Sequence, residues 1–265
     1  MPVIETTNLS KVYADGTPGL VDLSLTVEEG EVFGFLGPNG EGKTTTVRLL
    51  NGTLSPTAGR ALVLGRESGG EEVRRRTSTL ADRARMYDHL TARENLEFFS
   101  SLYDMPPGNA AARIEELLKR MDLFAVREQK LSNFSTGMRK RLHLIRTLLN
   151  DPDILFLDEP TSGLDPENAR DVNRLIRSLA KERGTTVFLC THNLFLAEEI
   201  CDGFGFIKEG SLIVSGTKDA LIESAVDDRR VEIMTDLGME RFSIASREDI
   251  SLKVEELVRS GRKIY

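Results

Sequence analysis

The chain has 265 residues, of which 40% are hydrophobic and 29% are charged, a composition typical of a globular protein. Its 35 Lys and Arg residues against 42 Asp and Glu residues give a formal charge of −7, which argues against a general binder of nucleic acid or of an anionic membrane. No apolar run approaches the roughly 18 to 20 residues of a membrane helix, and no signal peptide is visible, so we expect a cytoplasmic chain without a membrane span.

Short apolar strands alternate along the chain with helical patterns, which predicts an α/β fold with a mainly parallel central sheet. Val3–Leu9 and Leu23–Val27 have the composition of strands, and their short connection predicts an antiparallel flank. The apolar run Glu31–Gly37 leads into a glycine-rich turn. Lys43–Asn51 is then predicted to be a helix that ends at Gly52.

The stretch from about residue 83 to residue 150 has few strand signals, and it predicts a helical subdomain inserted into the α/β core. Thr91–Glu94 matches a capping box at the start of one helix. The pair Pro106-Pro107 is expected to break the chain, so that Asn109 caps the next helix. Apolar residues spaced along one helix face predict a third helix over Met138–Leu149.

The core is predicted to resume at Ile154–Leu157, a continuous apolar run typical of a buried parallel strand. Asp165, followed by a proline, is predicted to cap a helix that ends at Gly184. Thr185–Cys190 is predicted to be a further strand.

We expect residues 1–219 to form one domain and residues 220–265 to form a small C-terminal α/β appendage. In this appendage the sequence predicts strands over Arg230–Met234 and Arg241–Ile244 and a helix around Leu252–Val258. Lys263–Tyr265 has the composition of a strand that is beginning, so the sequence leaves open whether the chain ends there naturally or is truncated.

Gly37–Thr44 fits the pattern G-x-x-x-x-G-K-[ST] between a predicted strand and a predicted helix, which is typical of a phosphate-binding loop. Its glycines let backbone N–H groups point inward, and the helix N-terminus adds positive dipole. Lys43 is expected to contact the β- and γ-phosphates, and the Thr44 hydroxyl is expected to ligate Mg²⁺. The residues predicted to bind the nucleotide here are Gly37, Pro38, Asn39, Gly40, Glu41, Gly42, Lys43, Thr44 and Thr45.

Two carboxylates, Asp158 and Glu159, follow the apolar strand at Ile154–Leu157. Alone, such a pair is more often a solvated cap or a salt-bridge partner, but the phosphate loop reverses these odds. Asp158 is then expected to hold Mg²⁺, and Glu159 to orient or deprotonate the attacking water. His192 follows the next strand, which predicts a third polar group at the same sheet edge.

With these motifs in place, the sequence resembles the ATP-binding subunits of ABC transporters over about Val3–Thr217. Ser135–Arg139 resembles the family signature, usually written LSGGQ, and lies 23 residues (158 − 135) before Asp158. By itself this segment also fits a simple serine N-cap. Ser162–Asp165 resembles the family's D-loop, and Tyr13 matches the aromatic residue that stacks on adenine.

The resemblance implies a P-loop NTPase fold and a head-to-tail dimer of this chain with itself or with a related ATP-binding subunit. Each ATP would lie between the phosphate loop of one chain and Ser135 and Gly137 of the other, with Tyr13 and Asp165 as further contacts. Glu159 and His192 would be the catalytic residues. Hydrolysis would drive transmembrane permease subunits on a separate chain, which would hold this one at the cytoplasmic face of the membrane.

One position departs from the family pattern. Where the family has a glutamine that contacts Mg²⁺ or water, alignment through Tyr87–Leu96 gives Asp82. An aspartate accepts a hydrogen bond from a metal-bound water but donates none. Thr44, Asp158 and Asp82 are therefore the expected Mg²⁺ contacts, with ATP and Mg²⁺ as cofactors.

The variant signature around Met138 and the C-terminal tail are similar to those of exporter-type subunits, which favours export of a drug, an ion or a lipid-like cargo. The main alternative is a soluble ABC ATPase that acts without a transporter. A regulatory protein that binds but does not hydrolyse ATP is disfavoured by Glu159, and a P-loop metabolite kinase has no use for Ser135 or His192.

Overall fold

The computed structural model describes residues 1–80, 86–226, 230–236, 238–243 and 247–262. The chain divides into two compact units, Met1–Ser215 and Gly216–Tyr265. The strands of the described part are β1 (Pro2–Val12), β2 (Pro18–Glu28), β3 (Val32–Leu36), β4 (Ala58–Val63), β5 (Arg66–Glu67), β6 (Thr77–Leu80), β7 (Ile154–Asp158), β8 (Thr186–Thr191), β9 (Gly203–Lys208), β10 (Ser211–Thr217), β11 (Arg230–Thr235) and β12 (Gly238–Ser243). The α-helices are α1 (Lys43–Leu50), α2 (Glu71–Arg76), α3 (Ala92–Leu102), α4 (Pro107–Arg120), α5 (Thr136–Thr147), α6 (Pro166–Arg183), α7 (Leu194–Ile200), α8 (Lys218–Val226) and α9 (Arg247–Arg259).

The central sheet has the strand order β10-β9-β3-β8-β7-β6, and the pairs β9–β3, β3–β8, β8–β7 and β7–β6 are parallel. The α/β class and the mainly parallel sheet are thereby confirmed. All residues of β3, β7 and β8 are buried, because both faces of the sheet are covered, one by helices and the other by α1 and the antiparallel flank. The register pairs Leu36 with Thr191 and Asp158 with Cys190, so the three strands end side by side at one sheet edge.

The antiparallel flank is a four-stranded sheet with the order β2-β1-β4-β5. The predicted antiparallel pairing of its first two strands is confirmed. Both strands run further than their apolar patterns, since pairing continues to Val12 opposite Pro18. Val12 and Pro18 at this end are exposed, so a hydrophobic pattern carries no signal there, although Leu20 further along β2 is buried.

Alternation along the central strands separates two hydrophobic cores. In β7, Leu155 and Leu157 pack in the core that includes the helices α3, α4, α5 and α6. Ile154 and Phe156 face the opposite core, which holds α1 and the antiparallel flank. The central sheet, whose edge carries the candidate site, therefore has a packed hydrophobic core on each of its two faces.

The helical subdomain contains α3, α4 and α5. The capping box is confirmed: Thr91 Oγ1 accepts from Glu94 N–H, and the Glu94 carboxylate accepts from Thr91 N–H. The expected cap at Asn109 is wrong, because α4 begins at Pro107 with Pro106 as its N-cap residue. Proline is suited to the first helical turn, where its fixed φ is helical and its missing N–H is not needed.

In the second unit, β11 and β12 pair antiparallel, and α9 follows. The expected strand at Arg230–Met234 and the helix around Leu252–Val258 are confirmed. Ile244 and Lys263–Tyr265, which belong to two other predicted strand segments, lie outside the described residues. Among the helices that the structure describes, none is both long and apolar enough to cross a membrane.

Candidate functional site: a phosphate cradle at the sheet edge

The phosphate loop connects β3 to α1 and holds its lysine inward. The Lys43 side chain is only 5% exposed, and its Nζ donates to the carbonyl oxygens of Gly37 at 2.6 Å and Pro38 at 2.8 Å. A buried ammonium needs hydrogen-bond partners, and these two carbonyl groups hold it in place. The loop therefore presents a fixed positive charge to an anionic ligand.

Two glycines allow this compact loop. A Cβ on Gly37 would lie 2.5 Å from the carbonyl oxygen of Ile207, and one on Gly42 would lie 2.4 Å from that of Gly19. Gly42 also has a φ of 99°, in the left-handed region, and it is the N-cap of α1 without a side-chain cap bond. The first N–H groups of α1 are thus left for a ligand at the positive end of the helix.

Thr44 and Asp158 meet at the start of this helix. The Thr44 hydroxyl donates to Asp158 Oδ2 at 2.6 Å, and Asp158, the last residue of β7, is only 7% exposed. A hydroxyl and a carboxylate are the hard oxygen donors that Mg²⁺ prefers, so the pair fits this ion. Among the described residues, no group of three or more His, Cys, Asp or Glu forms a metal cage.

Glu159 is held by two residues from the end of β8. Its Oε2 accepts from Thr191 Oγ1 at 3.1 Å. Its Oε1 accepts from the backbone N–H of His192 at 3.1 Å and lies 2.7 Å from His192 Nδ1. The carboxylate therefore has a fixed orientation at the sheet edge, as a base acting on a nearby water requires.

These groups share one cavity of about 400 Å³. Its lining residues are Asn39, Gly40, Gly42, Lys43, Thr44, Thr45, Asp158, Glu159, Ser162 and His192. The loop cation, the hydroxyl–carboxylate pair and the fixed carboxylate thus face the same space, and its walls suit a chain of phosphates.

Tyr13 lies beside the loop. Its hydroxyl is 2.9 Å from Thr45 Oγ1, and its ring is so close to Gly19 that a Cβ there would lie 2.5 Å from Tyr13 Cε2. The half-buried ring therefore has a fixed position next to the phosphate loop, where it can support a flat base.

Ser135, Gly137 and Asp165 are not among the lining residues of this cavity. Ser135 is the exposed N-cap of α5, and its hydroxyl accepts from Met138 N–H at 3.2 Å. Asp165 is the N-cap of α6 and accepts from the Asn168 N–H at 3.0 Å and from Asn168 Nδ2 at 2.5 Å. These hydrogen bonds from Asn168 lower the pKa of the Asp165 carboxyl. The predicted cap at Asp165 is confirmed; Ser135 is an N-cap as well, and its role in a signature motif stays a prediction.

Glu41 and Asp82 are two further residues that the sequence predicts to contact the nucleotide or Mg²⁺. The Glu41 carboxylate accepts from the backbone N–H of Glu209, in the turn between β9 and β10, and Glu41 is not among the lining residues of the cavity. Asp82, the expected Mg²⁺ contact, lies outside the described residues.

The sequence reasoning did not assign Ser162, which lines the cavity, to the site, and it missed Thr191 and Cys190 beside it. Thr191 orients Glu159, and Cys190 is fully buried below the loop, with its Sγ 3.8 Å from the carbonyl oxygen of Lys43. Burial raises the pKa of the Cys190 thiol, so it stays neutral. The sequence positions of Thr191 and Cys190 could have indicated them, because both residues end an apolar strand and directly precede His192.

The sequence matches the family described as ABC transporter over residues 20–162, more than half of the chain. The bacitracin transport ATP-binding protein BcrA of Bacillus licheniformis is 41% identical over 214 residues, which are 80% of this chain and 68% of the relative. The daunorubicin resistance ATP-binding protein DrrA3 of Streptomyces coeruleorubidus is 40% identical over 237 residues, 89% of this chain and 74% of the relative. A solved dimer of the ATP-binding cassette MJ0796, in a post-hydrolysis state bound to ADP and Pi, has a TM-score of 0.73 at 25% identity and covers 81% of this chain and 98% of that one.

The chain therefore belongs to the ABC transporter family. It has the P-loop NTPase fold of ABC ATPase cassettes, and it is an ATP-binding and ATP-hydrolysing subunit. The family, the fold class and the ATPase activity expected from the motifs are confirmed.

Proposed function

We propose that this chain powers an export-type ABC transporter by closing head to tail, with a second copy or a related subunit, around two ATP molecules. The observation that carries the proposal is the fixed Glu159 carboxylate in the same cavity as Lys43, while Ser135 and Gly137 lie outside that cavity. One chain thus offers both halves of a nucleotide site, but at separate places on its surface.

In this proposal Lys43 binds the β- and γ-phosphates, and Glu159 accepts a proton from the water that attacks the γ-phosphate. Thr191 and His192 keep the carboxylate in position. Thr44 and Asp158 would hold Mg²⁺, which supplies charge neutralisation to the phosphates. A contact from Asp82 to this ion stays a prediction, as does a domain boundary at 219/220.

The partner chain would contribute Ser135 and Gly137 to the γ-phosphate, and Asp165 would lie at the same interface. The closed dimer is then stabilised by a group that is bound from both sides. Hydrolysis removes this group and with it the difference in affinity between the closed and the open state. The solved ATP-binding cassette MJ0796, which is dimeric with ADP and Pi bound, supports this arrangement.

We further propose that the helical subdomain contacts membrane subunits on a separate chain, which would hold this one at the cytoplasmic face of the membrane. A groove of about 940 Å³ lies beside the C-terminal end of α3. It is lined by residues that include Arg74, Leu102, Tyr103 and Arg113. Leu102 is 62% exposed there, and a large exposed leucine among basic and acidic side chains suits a protein partner. The names of the bacitracin and daunorubicin relatives favour export of a drug-like cargo.

The docking surface is tested by Leu102→Glu in a tagged chain purified from detergent-solubilised membranes together with its membrane subunits. We expect loss of the multispan subunit with unchanged ATP binding. Ile213→Glu is the matched control, because Ile213 is 63% exposed on β10, away from this groove. Equal retention of the membrane subunit by both variants would contradict the docking proposal.

The dimer and the role of Glu159 are tested together by light scattering on Glu159→Gln with and without Mg·ATP, combined with an ATPase assay. The substitution keeps the size of the side chain but removes the base. We expect at least a 100-fold loss of turnover and an ATP-dependent shift from monomer to dimer. Glu97→Gln, an exposed position on α3, serves as the control and should behave like the wild-type protein.

Undiminished turnover in Glu159→Gln would eliminate the proposed base. A variant that binds ATP but stays monomeric would contradict the head-to-tail dimer of the isolated chain, while the phosphate-loop site would stand.

A further inference from the structure

Lys140 connects the helix α5 to the backbone of Glu159. It lies in the second turn of α5, and its Nζ donates to the Glu159 carbonyl oxygen at 3.1 Å. The two residues are 19 positions apart, and the contact joins the helical subdomain to the carboxyl end of β7. A hydrogen bond from an ammonium group is stronger than one between neutral groups.

The Glu159 backbone is the part of the site that most needs such support. Its φ is 48°, in the left-handed region, which is disfavoured for an L-residue other than glycine. Its N–H donates to the carbonyl oxygen of Cys190 at 3.0 Å, and its carbonyl oxygen also accepts from Ser162 N–H at 3.2 Å. The strained peptide is therefore held through both its N–H and its carbonyl, independently of the contacts of the carboxylate.

We propose that Lys140 is a positioning residue that holds the Glu159 peptide and thereby aims its carboxylate at the water of its own nucleotide site. This inference rests on the proposed function of Glu159 as the base. Lys140 touches neither nucleotide nor water in this role; it acts through the carbonyl of the residue that does.

The same contact links the two nucleotide sites of the proposed dimer. The helix α5 begins beside Ser135, which would meet the ATP on the partner's phosphate loop, and Lys140 lies about 7 Å further along the helix axis. One rigid helix thus contacts the nucleotide of one site and the base of the other.

The test uses Lys140→Met, which keeps the length of the side chain but cannot donate, and Lys140→Arg, which restores a donor. We expect Lys140→Met to lower kcat about tenfold with a KM for ATP within twofold of wild type, and Lys140→Arg to recover kcat to within threefold. Arg141→Met is the matched control. Arg141 is the next residue of α5, and its Nη1 donates to a backbone carbonyl outside the site, that of Met121, at 3.3 Å. Its kcat should stay within twofold of wild type.

A second measurement separates positioning from a general structural role. In single-turnover hydrolysis, adding Lys140→Met to Glu159→Gln should change the residual rate by less than twofold, because a residue that acts through Glu159 has no effect once the base is absent. The double variant should still form the ATP-dependent dimer.

An unchanged kcat in Lys140→Met, an equal loss in Arg141→Met, or additive losses in the double variant would each overturn the inference while leaving the proposed function in place. Full turnover or a missing ATP dimer in Glu159→Gln alone would instead mark failure of the proposed function.

Discussion

Two helices of this chain begin at candidate phosphate sites, α1 at Lys43 and α5 at Thr136, and their N-termini are built differently. The N-cap of α1 is Gly42, which provides no side-chain bond to the first N–H groups. The N-cap of α5 is Ser135, whose hydroxyl already accepts from Met138 N–H. The first terminus therefore has no side-chain acceptor for its N–H groups, whereas the second already has one, for Met138 N–H, in the free chain.

The surroundings of the two helix N-termini differ in the same way. Lys43 is nearly buried and lines a cavity together with Glu159, so the first site is assembled by contacts within the chain. Ser135 is exposed, and it does not belong to the lining of that cavity. From this difference we propose that the first terminus binds phosphate in the monomer and that the second does so only against a second chain.

The largest effect is expected from Lys43→Ala, which removes the cation of the first site. Charge-assisted hydrogen bonds contribute about 1.5 to 3 kcal/mol each, and more than one is lost with the ammonium group. We expect ATP affinity to fall about 100-fold or more, measured by titration with a fluorescent ATP analogue. Lys119→Ala, which removes an exposed lysine paired with Glu115, should bind as wild type. A loss of less than threefold in Lys43→Ala would remove the distinction between the two termini.

A smaller and more selective effect is expected from Gly137→Ala in the second site. A Cβ at this position would meet the Asn168 side chain at 3.4 Å, an ordinary contact, and alanine favours a helix. The melting temperature and the ATP affinity of the monomer should therefore stay unchanged. In the Glu159→Gln background, ATP-dependent dimerisation should weaken at least tenfold by light scattering, because the methyl group occupies the partner's phosphate site. Dimerisation at wild-type strength would show that α5 does not face the partner's nucleotide.

The smallest effect concerns the stability of α5 itself. Burial, together with Arg146, Arg139 and Lys140, lowers the pKa of His143 from 6.5 to about 4. Between these values the unfolded chain binds a proton that the folded chain does not, so the free energy of unfolding falls as the pH drops from about 6.5 to 4. Allowing for the partly exposed ring, the loss due to His143 is about 1 kcal/mol.

His143→Gln should lose less stability than the wild-type protein over this range, because glutamine does not titrate. Urea unfolding of both proteins at pH 7 and pH 4.5 measures the difference. Identical losses in the two proteins would mean that the His143 ring is protonated without penalty in the folded chain.

The ends of several helices could be predicted from the sequence, because they depend on a few neighbouring residues. Examples are the capping box at Thr91, the N-caps Asp165 and Ser135 and the left-handed end of α6 at Gly184. The error at Asn109 has a local cause as well. A proline pair predicts a break as readily as a helix start, and here α4 begins at the second proline of the pair.

The sequence by itself determined the phosphate loop, the strand that ends in Asp158 and Glu159, and the two helix starts at Ser135 and Asp165. Each of these depends on backbone geometry and hydrogen bonds within a short segment, which neighbouring residues control.

Only the tertiary structure decided which side chains meet. Thr191 and His192 reach Glu159 because β7 and β8 are adjacent in a fixed register, Lys140 reaches its carbonyl because α5 packs on the sheet, and Glu41 binds the N–H of Glu209. These contacts join residues 19 to 168 positions apart, and no local propensity specifies such distances. They follow from strand order and core packing, which depend on the whole chain at once.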